Sequence, residues 1–96
     1  MPMQVAAPSS EVLVDVLKAL ADPVRLDLFT RIAGVDEMSC TQLVDDADVT
    51  ASTVSYHVKT LRNAGLVDVR KDGRNFHYTA RPSTIQSLGL FLGSLS

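Results

Sequence analysis

The chain has 96 residues, 46% hydrophobic and 21% charged, with a net charge of −2. That is the make-up of one soluble domain whose modest core a second subunit would enlarge. No apolar run approaches the ~18 residues of a membrane span, and no secretory signal is expected from MPMQVAAPSS, which has no basic region followed by an apolar core. The single cysteine, Cys40, leaves no intrachain disulfide partner and suits a cytoplasmic location. The net charge conceals a split: residues 1–55 sum to −6 and residues 56–96 to +4, which points to a polyanion partner for one face.

Residues 1–8 are expected to form a loose arm, and residues 9–96 one folded domain. Ser9-Ser10-Glu11 opens a first helix with Leu13, Val16, Leu17 and Leu20 at helical spacing. Asp22 caps a second helix that starts at Pro23, carries Val24, Leu28, Phe29 and Ile32 on its apolar stripe, and ends at Gly34. Ser39 with Gln42 fits a capping box for a short third helix bearing Leu43, Val44 and Ala47. Thr50 caps a fourth helix, in which Val54, Val58 and Leu61 form a buried seam and Gly65 supplies the left-handed stop. The period then changes to alternation. Val67 and Val69 lead to an Asp72-Gly73 turn, and Phe76, Tyr78 and Ala80 return. Ser83 caps a last helix, where Ile85, Leu88, Leu92 and Leu95 make a 3-4-3 seam for another helix. The order is mainly α with a β-hairpin, which describes a winged helix-turn-helix.

No carboxylate lies between Thr50 and Val67. A helix entering a major groove meets base edges with its N-terminal part. Here that part presents Thr50, Ala51, Ser52, Thr53, Ser55 and Tyr56. The hydroxyls serve phosphates or base edges, the methyls pack on thymine, and Lys59 and Arg62 suit flanking phosphates. The hairpin adds Arg70, Lys71 and Arg74, cations fit for a minor groove. The competing readings are a solvated helix face and an edge hairpin guarded by charge. His57, on the seam side, reads as a packed or hydrogen-bonding structural residue; His77 reads as exposed.

These residues resemble the ArsR/SmtB family of winged-helix bacterial repressors. The likeness rests on LKALADPVRLDLFTRI (17–32), on STVSYHVKTLRNAGLVDVRKDGRNFHYTA (52–80) and on the capped short helix between them. It covers roughly three quarters of the chain. It implies a homodimer through the first and last helices, with an interface formed by Leu13, Val16, Leu17, Leu20, Ile85, Leu88, Leu92 and Leu95. It also implies an imperfect palindromic operator in double-stranded DNA, with the two fourth helices roughly 34 Å apart. The family's metal sites do not carry over. Cys40 falls between the usual ligand positions of the third helix, and the last helix has no His, Asp or Glu. Neither metal nor other cofactor is expected, and the inducing signal is not legible.

Cys40 is either a thiol sensor at a helix N-terminus or a small buried hydrophobe. Besides a repressor, the sequence leaves open an interaction module that lacks operator specificity and a redox-sensing repressor using Cys40. It carries no Gly-rich phosphate loop, nucleophile elbow or Cys-His pair, so no enzyme is expected.

Overall fold

Five helices and a three-stranded antiparallel sheet follow one another in the computed structural model, which describes residues 10–96. The arm expected at residues 1–8 lies outside the described residues. The helices are α1 (Ser10–Leu20), α2 (Pro23–Ala33), α3 (Cys40–Ala47), α4 (Ala51–Asn63) and α5 (Pro82–Ser94). The strands are β1 (Met38–Ser39), β2 (Val67–Asp72) and β3 (Asn75–Ala80).

Three helices start where short polar side chains satisfy an orphan amide. Asp22 accepts from the Arg25 amide at 2.9 Å, ahead of Pro23. The Ser39 hydroxyl accepts from the Gln42 amide, and the Thr50 hydroxyl from the Thr53 amide, each at 3.1 Å. The last helix departs from expectation. Its N-cap is Arg81, without a side-chain cap bond, and Ser83 already lies inside the helix. Pro82 sets the start, because its fixed φ is preorganised for the first helical position.

The end of α4 is closed by Gly65 at φ +79. The Leu66 amide donates to the Leu61 carbonyl and the Gly65 amide to the Arg62 carbonyl, both at 3.0 Å, which is a Schellman closure. At the end of α3 a non-glycine, Asp48, holds the left-handed position at φ +54. Its short polar side chain tolerates a conformation that most residues avoid. The tight turn this creates delivers Thr50 to the start of α4.

The core gathers Leu28 and Ile32 from α2, Leu43 from α3, Val54 and Leu61 from α4, and Leu66 at the edge of the sheet, all fully buried. Each such side chain contributes roughly 1.5–3 kcal/mol of burial free energy. From α1, Val16 joins this core at 2% exposure together with Ala19. Val16 was expected in a dimer interface, and its burial within its own chain corrects that assignment. Val24 is corrected in the opposite sense: it is exposed, because α2 turns Leu28, Phe29 and Ile32 inward and carries Val24 away from them.

The hairpin pairs Val67 with Ala80 through to Asp72 with Asn75. Gly73 and Arg74 therefore form the two-residue loop, and the positive φ of Gly73 (+62) is the one an L side chain would resist. A strand not expected from the sequence, β1, pairs Met38 with Tyr78 and Ser39 with His77, giving the order β1-β3-β2. It ties the start of α3 to the wing.

Arg25's amide, which donates to the Asp22 carboxylate, holds that carboxyl below its ordinary value. A depressed carboxylate contributes stability above its unfolded-state value and loses it as pH falls through the folded one. Asp22→Ala is therefore expected to lower the urea midpoint at neutral pH. The gap from the parent should close as pH drops below the ordinary carboxylate range, and urea titrations at several pH values check it.

Candidate nucleic-acid interface

The buried seam of α4 is Val54, His57, Val58 and Leu61. Opposite it, at spacings of four, three and four, run Ser52, Tyr56, Lys59 and Asn63, all exposed. Three of these four were expected at the interface. Asn63 was not, although its spacing from Lys59 carried the signal. Ala51, Ser55 and Arg62 are exposed, the last two toward the sheet, and Thr53 is half-buried.

At the tip of α4 the hydroxyls form a linked set. Thr50 Oγ1 lies 3.1 Å from Ser52 Oγ and 2.8 Å from Thr53 Oγ1. Together with the unpaired amides of the first turn, they form a donor-rich end suited to an anionic oxygen.

His57 is buried at 9% exposure, and the guanidinium of Arg25 donates to its Nδ1 at 3.3 Å. Arginine has no acceptor, so Nδ1 is the accepting atom of this contact. The same guanidinium donates to the carbonyls of Ala19 and Lys18 at the end of α1. The Tyr56 ring meets His57 edge to face, with centroids 5.1 Å apart. His57 is a buried structural residue that links α4 to Arg25 of α2, with its ring turned from solvent.

The three wing cations divide. Strand alternation puts Lys71 on the face of the sheet toward α4, 5.9 Å from the Phe76 ring centroid. Arg74 stands exposed in the loop. Arg70 lies on the opposite face, where Glu37 accepts from its Nη2 at 2.8 Å and its Nε at 3.3 Å. The contact holds the Glu37 carboxyl below its ordinary value and raises the guanidinium's. His77, expected to be exposed, is half-buried, with Nδ1 3.5 Å from the same carboxylate. The cause is β1, which brings Glu37 beside the wing.

Arg81 is likewise paired, with Asp68 at 2.8 Å. By contrast, Lys59, Arg62, Lys71 and Arg74 form no ion pair among the described residues. All four lie on α4 or on the adjoining part of the wing. Between α4 and the sheet runs a groove of about 320 Å³, floored by Val58, Val69, Phe76 and Tyr78 and edged by Lys59 and Arg62.

Cys40 is half-buried and packs against the core at the first turn of α3. The ionisation of the Tyr78 phenol is pushed up by burial first and by the neighbouring Cys40 thiol second. Among the described residues, no three His, Cys, Asp or Glu side chains gather to hold a metal ion. Nor is any helix there long and apolar enough to cross a membrane.

Of the positions expected in a dimer seam, Leu17, Ile85, Leu92 and Leu95 are exposed, while Leu13, Leu20 and Leu88 are half-buried. In α5 no residue is fully buried. Its root is fixed, since the Thr84 hydroxyl donates to the Gly65 carbonyl at 2.6 Å and the Arg81 amide to that of Leu66 at 2.9 Å.

Comparison with known proteins agrees with this architecture. Residues 20–70 match the helix-turn-helix domain family. The HTH-type transcriptional regulator YceK of Bacillus subtilis is 36% identical over 78 residues, which span 80% of this chain and 78% of that protein. A transcriptional repressor SmtB homolog of Synechocystis is 30% identical over 87 residues, 91% of this chain and 65% of its own. Among solved structures, an ArsR-like transcriptional regulator from Rhodococcus sp. RHA1 superposes with a TM-score of 0.78 at 25% identity, covering 88% of this chain and 79% of that one. With the helix order, the wing and these relatives in agreement, the chain belongs to the ArsR/SmtB family of winged-helix, DNA-binding transcriptional regulators.

Proposed function

We propose that the protein is a dimeric repressor that binds an imperfect palindromic operator in the cytoplasm and is released from it by a signal. Each α4 enters a major groove, with Ser52 and Tyr56 reading base edges and Thr50, Ala51, Thr53 and Ser55 lining the entry. Lys59 and Arg62 meet flanking phosphates, and Lys71 and Arg74 reach the backbone or minor groove beside them. One observation carries this reading. Of the six Lys and Arg side chains without a carboxylate partner among the described residues, four, Lys59, Arg62, Lys71 and Arg74, lie together on the α4 and wing surface, whereas Arg70 and Arg81 are paired with Glu37 and Asp68. Such a surface leaves charge uncompensated until phosphates supply it.

The test is selection of genomic fragments by the purified protein, followed by titration of a selected duplex against its scrambled counterpart. Phosphate contacts alone carry no sequence information, so a repressor prefers the selected duplex. Equal affinity for both would instead indicate an interaction module or a non-specific binder.

The division of the wing cations gives a sharper result. Arg74→Ala is expected to reduce the slope of log affinity against log salt by about one, the loss of one phosphate contact. Arg70→Ala, removing a guanidinium already held by Glu37, should leave the slope unchanged. Fluorescence anisotropy across a salt series reads both. Equal reductions would place Arg70 on the DNA as well.

A further inference from the structure

We propose that the groove between α4 and the sheet is a binding site for a small aromatic carboxylate, whose occupancy competes with DNA for Lys59 and Arg62. The competition rests on the operator-binding reading above; the binding itself does not.

The floor of the groove is apolar. Tyr78 is buried beneath α4, as expected for the inward face of β3. Phe76 lies two residues away on that same inward face, yet is 40% exposed. The groove opens beside it, and its ring is left bare toward solvent apart from the Lys71 ammonium. An exposed aromatic face in a concave floor shared with Val58, Val69 and Tyr78 gains by stacking on a flat ring.

One edge of the groove is cationic. Lys59 and Arg62 stand three residues apart on α4, so they occupy neighbouring positions on one side of the helix. Neither has an ion-pair partner among the described residues. Ser55 and Asn63 supply hydrogen-bonding groups on the same edge.

The occupant's chemistry follows from joining the two. A neutral hydrocarbon would leave the cations unanswered, and a bare phosphate would leave Phe76 and Val69 wet. A planar ring bearing a carboxylate satisfies both. The volume, about 320 Å³, is at the small end of the roughly 300–1,000 Å³ typical of ligand pockets, which limits the occupant to one or two fused rings. The same two cations cannot serve a carboxylate and the DNA backbone together, so occupancy opposes operator binding.

The probe is 2-naphthoate, compared with 2-naphthamide, its neutral near-isostere. Both are titrated into the DNA-free protein while backbone amide shifts are followed by NMR. Saturable shifts centred on Val58, Lys59, Arg62, Val69 and Phe76 are expected, with a dissociation constant of about 1 mM or tighter for a ligand of this size. The amide should bind about tenfold more weakly, since a charge-assisted contact becomes a neutral one. Phe76→Ala, at a half-exposed position, should keep the fold by circular dichroism and lose the saturable shifts.

On the selected duplex, 2-naphthoate should release the parent protein and fail to release the Phe76→Ala variant. Shifts confined to α1 and α5, or equal affinity for acid and amide, would overturn the site. Binding in the groove without release of DNA would overturn the competition. If no duplex is preferred at all, the function proposed above fails, and the DNA-free titration still decides the site.

Discussion

Leu92→Glu is expected to leave the protein monomeric in sedimentation at micromolar concentration and to weaken binding to a full palindromic operator by about a hundredfold or more, the advantage lost when two half-sites cease to be linked. The α5 helix contains no ionisable side chain and no fully buried one, while Leu92 is 51% and Leu95 69% exposed. With Ile85 of α5 and Val14 and Leu17 of α1, these leucines are apolar side chains that the single chain leaves exposed to water. A carboxylate in the middle of the paired seam would be desolvated without a partner. In the single chain the position faces solvent, so the substitution leaves the core intact. Affinity for a duplex carrying one half-site should therefore change by less than about threefold, because each subunit's own contacts persist. A dimer that survives Leu92→Glu with full operator affinity would move the subunit interface away from α5.

The corrections to the sequence reading share a physical cause. Periodicity identifies an apolar side chain but not which of two neighbours it meets. On α1 the stripe serves two surfaces, and only packing against α2 and α4 separates Val16, sealed in its own core, from Leu17. Capping was legible because it is local: Asp22, Ser39, Thr50 and Gly65 each act within a few residues of their partners. Long-range partners were not. Glu37 lies 33 residues before Arg70, and β1 is two residues long, too short for any alternation to show. Its existence depends on the register of β3. The exposed side of α4 was legible for a related reason, since one helix with a buried seam fixes its opposite side by geometry alone. The division of the wing cations, and the bare ring of Phe76, required the sheet.

Arg25→Met is expected to destabilise the fold by about 2–4 kcal/mol, since several hydrogen bonds from a charged donor are lost together and their acceptors remain partly buried. One guanidinium joins the carbonyls of Lys18 and Ala19 to Nδ1 of His57. The carbonyls belong to the last turn of α1, where helix geometry leaves acceptors unsatisfied and a cation is favoured. The imidazole belongs to α4. Arg25 is thus the side chain through which the proposed dimer helix grips the proposed recognition helix. Methionine retains much of the aliphatic packing and removes the donors, so the loss measured by urea unfolding reports on the polar contacts. A double-mutant cycle with His57→Gln should show a coupling of about 1 kcal/mol or more, as for residues sharing one network. The consequence for DNA is specific to the dimer. With α4 less firmly held to α1, the separation of the two reading helices loosens. Under conditions where Arg25→Met remains folded, affinity for the full palindrome should fall more than affinity for a single half-site. Strictly additive unfolding energies, or equal losses on both duplexes, would mean that Arg25 only fastens α1 to its own chain and does not set the spacing between reading helices.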